Sequence, residues 1–169
     1  IFNTIEPVTF SVFDEFSFNK TISKTPFPKI KYVDSMNKYG TDKPDLRNPL
    51  YIDDFTNNFI DSGFKIFDEN IKKGLIVKGI KVSDCASKSR AWFDKLNEGS
   101  RKTGQKCLSY ISFEDGKAKG PIANNLREKS LQSIIEKANM VNNDCIFFIS
   151  DIKKNAELFS GIAREKLCD

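Results

Sequence analysis

The sequence contains no histidine, and its 169 residues include one tryptophan and two methionines. Without histidine the Ser-His and Cys-His nucleophile pairs are excluded, along with the commonest general base, so any chemistry of its own would fall to carboxylates or lysines. The four cysteines, Cys85, Cys107, Cys145 and Cys168, form no C-x-x-C pair, which together with the missing histidine argues against structural zinc or any other metal site. Each sits among apolar or small residues, as in "KCLSYI" and "DCIFFI", a setting that suits a reduced thiol used as a small hydrophobe better than a disulfide framework. No apolar run approaches the length of a membrane span, and the N-terminus lacks a basic region followed by an apolar stretch. No membrane contact and a cytoplasmic location are therefore expected. The first residue is Ile1, and a segment of a longer chain is expected.

What is present is ordinary in amount and uneven in distribution. At 39% hydrophobic and 30% charged, the chain can bury one core of normal size. The net charge is +4, yet the segment from Ile71 to Lys106 holds ten basic residues against three acidic ones, a local balance of +7. Such an excess either attracts a polyanion such as nucleic acid or is a solvated lysine-rich face. Lys72, Lys73, Lys78, Lys81, Arg101 and Lys102 are the candidate phosphate contacts, with Trp92 and Tyr110 as stacking aromatics, although Trp92 beside Phe93 also fits a helix core.

Residues Phe2, Ile5, Val8, Val12, Phe13 and Phe16 recur at helical spacing, with Pro7 tolerable in the first turns of a helix opening near Glu6. Lys31 to Tyr39 predicts a short helix ending at Gly40. The run "LYIDDFTNNFIDSGFKIF" predicts a short helix and, beyond Ser62-Gly63, a strand from Phe64. "GLIVKGIKV" (74–82) reads as a buried strand, and Ser87 as the cap of a helix running to about Lys102 with Gly104 as its stop. A strand from Cys107, a hairpin turn at Asp115-Gly116, a helix with Leu131, Ile134, Ile135 and Ala138 inward, the strand "DCIFFIS" and a last helix capped by Asp151 complete the chain. The order β-β-α-β-β-α-β-α predicts an α+β two-layer sandwich, with helices on one face of a mostly antiparallel sheet.

The densest stretch is "KYGTDKPDLRNP" (38–49), a loop stiffened by Pro44 and Pro49 that carries Asp42, Lys43, Asp45 and Arg47. Charges so placed can cap backbone, pair with one another, or face a charged ligand. Adjacent carboxylates at Asp53-Asp54 and Glu114-Asp115 point apart and need not share a site.

The longer segment "FPKIKYVDSMNKYGTDKPDLRNP" (27–49) closely resembles the stretch of bacterial-type aspartyl-tRNA synthetases that leads out of the class II catalytic core. Downstream, "VKGIKV" (77–82), "KGPIANNL" (119–126), "DCIFFISD" (144–151) and "GIAREKL" (161–167) resemble successive signatures of the GAD domain, the α+β insertion of those enzymes. The resemblance implies a core segment over 1–52 and a GAD-like domain over 53–169. It implies a parent ligase that attaches L-aspartate to tRNA(Asp) with ATP and Mg, through aspartyl-adenylate, and that forms a homodimer through its core. The arginine-bearing second motif, the glycine- and arginine-rich third motif, the histidine loop and the anticodon-binding barrel of the family are not in this sequence. The chain itself is accordingly expected to be monomeric and non-catalytic, with no cofactor of its own, and to serve as a structural module with an auxiliary tRNA contact. On this reading Asp42, Lys43, Asp45 and Arg47 brace the exit from the core, while Arg164 pairs with a carboxylate such as Glu157 or Asp151. Two departures from the family stand out, "SDC" (83–85) in place of a proline- and glycine-rich turn, and Arg127 where a serine or threonine usually caps the helix. The alternatives are a free-standing RNA-binding or adaptor module, and the GAD module of a tRNA-dependent amidotransferase, against which "YGTDKPDLR" speaks.

Overall fold

The computed structural model describes residues 1–102, 104 and 108–168. Lys106 and Cys107, with the strand start expected there, lie outside the described residues. Two compact units are present, Ile1–Lys31 and Tyr32–Asp169.

In the first unit, helix α1 (Phe2–Phe16) contains Pro7 and starts four residues earlier than the proline alone suggests. It buries none of its residues. Glu6 Oε1 accepts the Phe27 N–H at 2.8 Å and so ties the extended "TPFPKI" stretch back to the helix.

The second unit is built on a five-stranded sheet in the order β1-β2-β5-β3-β4, with every pairing antiparallel. The strands are β1 (Ile52–Asp54), β2 (Ile76–Val82), β3 (Ser109–Glu114), β4 (Lys117–Lys119) and β5 (Cys145–Asp151). The helices are α2 (Tyr32–Tyr39), α3 (Lys65–Lys72), α4 (Arg90–Lys102), α5 (Glu128–Lys137) and α6 (Lys153–Cys168). The expected α+β class and antiparallel sheet are therefore present. The Asp115-Gly116 turn joins β3 to β4 with φ of 51° and 72°, the left-handed geometry a tight hairpin needs.

A second helical layer is added to the one expected. On β5, Cys145, Phe147 and Ile149 join Ile80, Phe93, Ala163 and Leu167 in one core, so α4 and α6 cover that face. Ile146 and Phe148 join Phe59, Phe67, Val77 and Ile134 in the other, beneath α3 and α5. Side chains alternate across a strand, so four apolar residues in a row on β5 place apolar groups on both faces of the sheet.

Between Leu50 and Phe67 the expected elements exchange places. "YIDD" supplies the short strand β1, and the residues after Phe64 form α3 rather than a strand. Asp68 secures that helix start by accepting N–H bonds from Ser62 at 2.9 Å and Gly63 at 3.1 Å. Ser89, whose carbonyl accepts the Trp92 N–H at 2.9 Å, opens α4 in place of Ser87. Ser87 instead donates its N–H to Asn143 Oδ1. Gly104, with φ of 89°, ends the helix as expected. Arg127 makes no side-chain cap at α5.

Candidate functional site

The loop from Gly40 to Pro49 returns the chain from α2 to β1, and its charged side chains pair locally. Arg47 forms a two-pronged bond with Asp45, Nε to Oδ1 at 2.9 Å and Nη2 to Oδ2 at 2.5 Å, while Lys43 lies 3.5 Å from Asp42. The Arg47 side-chain bond, then its backbone N–H, hold the Asp45 carboxyl down at about 2, and the Arg47 guanidinium is raised in turn. Both pairs are largely in solvent. Among the described residues, none of these four side chains makes an ion pair outside the loop.

The bracing contact comes from the other side. Arg164 on α6 is 1% exposed and reaches the loop's backbone. Its Nε donates to the Leu50 carbonyl at 2.6 Å, and Nη2 donates to the carbonyls of Asn48 at 2.7 Å and Asp45 at 3.1 Å. Its guanidinium carbon lies 5.0 Å from the Tyr39 ring centre. Asn48 returns the contact by donating Nδ2 to the Arg164 carbonyl at 3.0 Å, while its Oδ1 accepts the Leu50 N–H. One turn earlier on α6, Gly161 meets Gly40 backbone to backbone. A Cβ at Gly40, where φ is 70°, would lie 2.4 Å from the Glu157 carbonyl oxygen, and one at Gly161 would lie 2.6 Å from the Gly40 carbonyl oxygen. The segments "YGTDKPDLRNP" and "GIAREKL", more than a hundred residues apart, are thus two halves of one joint.

Arg164 does not take the carboxylate partner expected for it. Glu157 lies 4.0 Å from Lys153, and Asp151 accepts from Ile152 and Asn155. Loop carbonyls without a strand or helix to bond them claim the guanidinium instead. The available signal was position, since Arg164 shares the helical stripe of Ala156, Ser160, Ala163 and Leu167.

The basic segment does not assemble into one surface. Lys72 and Lys73 are exposed at the end of α3, on one side of the sheet, and Arg101 and Lys102 at the end of α4, on the other. Lys78 is 4% exposed and lies 3.3 Å from Asp54, its cross-strand neighbour, which leaves it out of reach of any phosphate. Burial raises the Asp54 carboxyl, but its bonds to Thr56 and the charge of Lys78 outweigh this and lower it overall. Lys81 is half-buried and engaged by the Asn139 carbonyl at 3.0 Å and by buried Asp144 at 3.4 Å. Trp92 packs against Phe93 and Phe147, and Tyr110 stacks on Phe93 at 4.3 Å, so both aromatics belong to the core. Glu114 pairs with Lys119. Among the described residues no three Cys, Asp or Glu side chains converge as a metal site would require.

A family model described as the GAD domain matches residues 67–158. Over 99% of its length the chain is 49% identical to the aspartate–tRNA(Asp/Asn) ligase of Rickettsia prowazekii (strain Madrid E), and covers 28% of that protein. It is 44% identical to the ligase of the same name from Paramagnetospirillum magneticum, of which it covers 19%, and 42% identical to that of Zymomonas mobilis, of which it covers 28%. The chain therefore spans 19–28% of the length of these relatives.

Proposed function

The chain belongs to the GAD domain family, and from that membership we propose that it is the insertion module, with an adjoining core segment, of an aspartate–tRNA ligase. Residues 1–52 are assigned to the class II core and 53–169 to the insertion. This division concerns origin and differs from the packing boundary after Lys31. The observation that carries the reading is identity of 42–49% over nearly the whole chain to ligases so named, spanning both the loop and the GAD segments.

The parent enzyme is proposed to attach aspartate to tRNA(Asp) in the cytoplasm through aspartyl-adenylate, as a homodimer, with the chain's 169 residues monomeric on their own. ATP and Mg are assigned to parts of the parent outside this sequence. The buried guanidinium of Arg164 is engaged by loop carbonyls. On this reading the module's own residues hold and orient the loop. The joint of Arg164, Asn48, Gly40 and Gly161 fixes the loop through its backbone, whereas the side chains of Asp42, Lys43, Asp45 and Arg47, expected to brace it, pair with one another. The free-standing adaptor reading loses its main feature, because the six basic candidates are divided between two faces and the interior.

The test is aspartylation of tRNA(Asp) and tRNA(Asn) transcripts by the full-length protein that contains this chain. ATP-dependent transfer of aspartate to tRNA(Asp) is expected. No aspartate on either tRNA would refute the reading.

A further inference from the structure

We propose that the groove between α4 and the C-terminal turns of α6 binds RNA backbone phosphates. This deepens the tRNA reading above by naming the surface, and rests on it for the identity of the polyanion. Lys95, Glu98, Gly99 and Lys102 line the groove from α4, Lys166 lines it from α6, and Trp92 and Leu96, half-buried against the core, complete the lining. The α4 residues follow the spacing of one helix side, which sets Lys95 and Lys102 about 10 Å apart along the axis. Lys166 Nζ donates to the Gly99 carbonyl at 3.1 Å, so its ammonium is positioned and keeps two further donors. Gly99 keeps the wall low, since a Cβ there would meet only Lys166 Nζ, at 3.5 Å.

Charge selects this groove, lined by three lysines and one glutamate, over a hollow of the same unit lined by two lysines and one aspartate. There, Lys81 is held by Asn139 and Asp144, and Lys137 by the Asp54 carbonyl and Asn58. In the α4–α6 groove the one carboxylate is Glu98, 2.7 Å from Lys102, while Lys95 makes no ion pair with a described residue. Three lysines on two sides of one groove suit a strand that repeats its charge along its length.

The test is anisotropy of a labelled RNA hairpin with a single-stranded 3′ tail, titrated with the 169-residue chain at low and at physiological salt. Lys95→Glu with Lys102→Glu is expected to weaken binding at least about tenfold, and to flatten the salt dependence by about two logarithmic units of slope. Gly99→Glu disturbs no core contact and is expected to weaken binding similarly. Glu98→Gln is expected to tighten it several-fold, a gain that no folding defect imitates. Lys72→Glu with Lys73→Glu, on the opposite face, is expected to leave it unchanged. Equal weakening by the α3 pair, no binding at low salt, or no response to Glu98→Gln overturns the groove. Aspartylation by the full-length protein is read separately, so the groove can fail while the ligase reading stands, and the reverse.

Discussion

Replacing Arg164 by alanine is the sharpest perturbation of the joint. Three loop carbonyls would lose their donor, each to a charged group and worth about 1.5–3 kcal/mol. Against that, the cost of holding a guanidinium at 1% exposure would also vanish, so the net loss expected is about 3–5 kcal/mol. That is a large share of the roughly 5–15 kcal/mol that stabilises a typical domain. With a urea dependence of about 2 kcal/mol per molar, the unfolding midpoint should fall by about 2 M. Trp92, the single tryptophan, lies in the core that α6 covers, so its fluorescence follows the transition. Arg164→Lys keeps the charge but loses the planar fork and the face on Tyr39, and is expected to fall about halfway. It also keeps the experiment readable if the alanine variant does not fold. A midpoint for Arg164→Ala within about 0.3 M of the unsubstituted chain would refute the argument, because it would mean that the loop's carbonyls are satisfied without the clasp.

Gly161→Ala forces a Cβ to 2.6 Å from the Gly40 carbonyl oxygen and should cost about 1–3 kcal/mol, while Gly99→Ala, whose Cβ would meet only Lys166 Nζ at an ordinary 3.5 Å, should stabilise by up to about 1 kcal/mol; comparison of the two midpoints checks both. Asp45 is held down to about 2 in the folded chain, so the stability its pair with Arg47 contributes is present above pH ~4 and is lost as pH falls towards 2. A carboxyl titration by NMR should show this low value, and Arg47→Ala should return it towards the ordinary range. Lys78→Met should change stability by less than about 1.5 kcal/mol, whereas Asp54→Ala, which leaves the buried ammonium alone, should cost more; the opposite order in urea melts would sink the assignment of that pair. A hydrogen bond with Cys85 and burial push the Cys145 thiol far above the ordinary range, so among Cys85, Cys145 and Cys168 a mild thiol reagent should label exposed Cys168 first. Peptide mapping showing early label on Cys145 would contradict this.

Elements with a strong local signal were readable from the sequence alone. Gly40 stops α2, Asp115-Gly116 turns the hairpin, and the inward stripe of α6 follows its period. The exchange between β1 and α3 came from two short apolar runs, "YID" and "FKIF", whose periodicity does not separate a strand from a helix turn. The second helical layer was written in "IFFI" (146–149), four apolar residues with no polar face to leave in water. The sheet order was not legible, because β5 lies between β2 and β3 through pairings that span tens of residues. That hidden order is also what defeated the charge count. From Ile71 to Lys102 the counted window runs off α3, through the interior along β2, and onto α4 beyond the opposite face. Charges adjacent in sequence are there separated by a layer of sheet, and one of them, Lys78, is inside it.

The joint shows how a loop without regular structure is held by one side chain from elsewhere. Pro44 and Pro49 have no N–H to give, and the carbonyls of Asp45, Asn48 and Leu50 sit where no ladder can reach them. A guanidinium supplies several N–H donors in one plane, so a single residue fixes three points along the loop whatever side chains the loop carries. Because the contact is to backbone, Asp42, Lys43, Asp45 and Arg47 remain at the surface and pair with one another. The same helix carries Lys166, two residues on and so on nearly the opposite side of its axis. Arg164 faces the loop and Lys166 faces Gly99 of α4. A displacement of α6 imposed at Gly161 therefore cannot be confined to the joint. It must also shift Lys166 against α4, which ties the geometry of the proposed RNA groove to the packing of the loop.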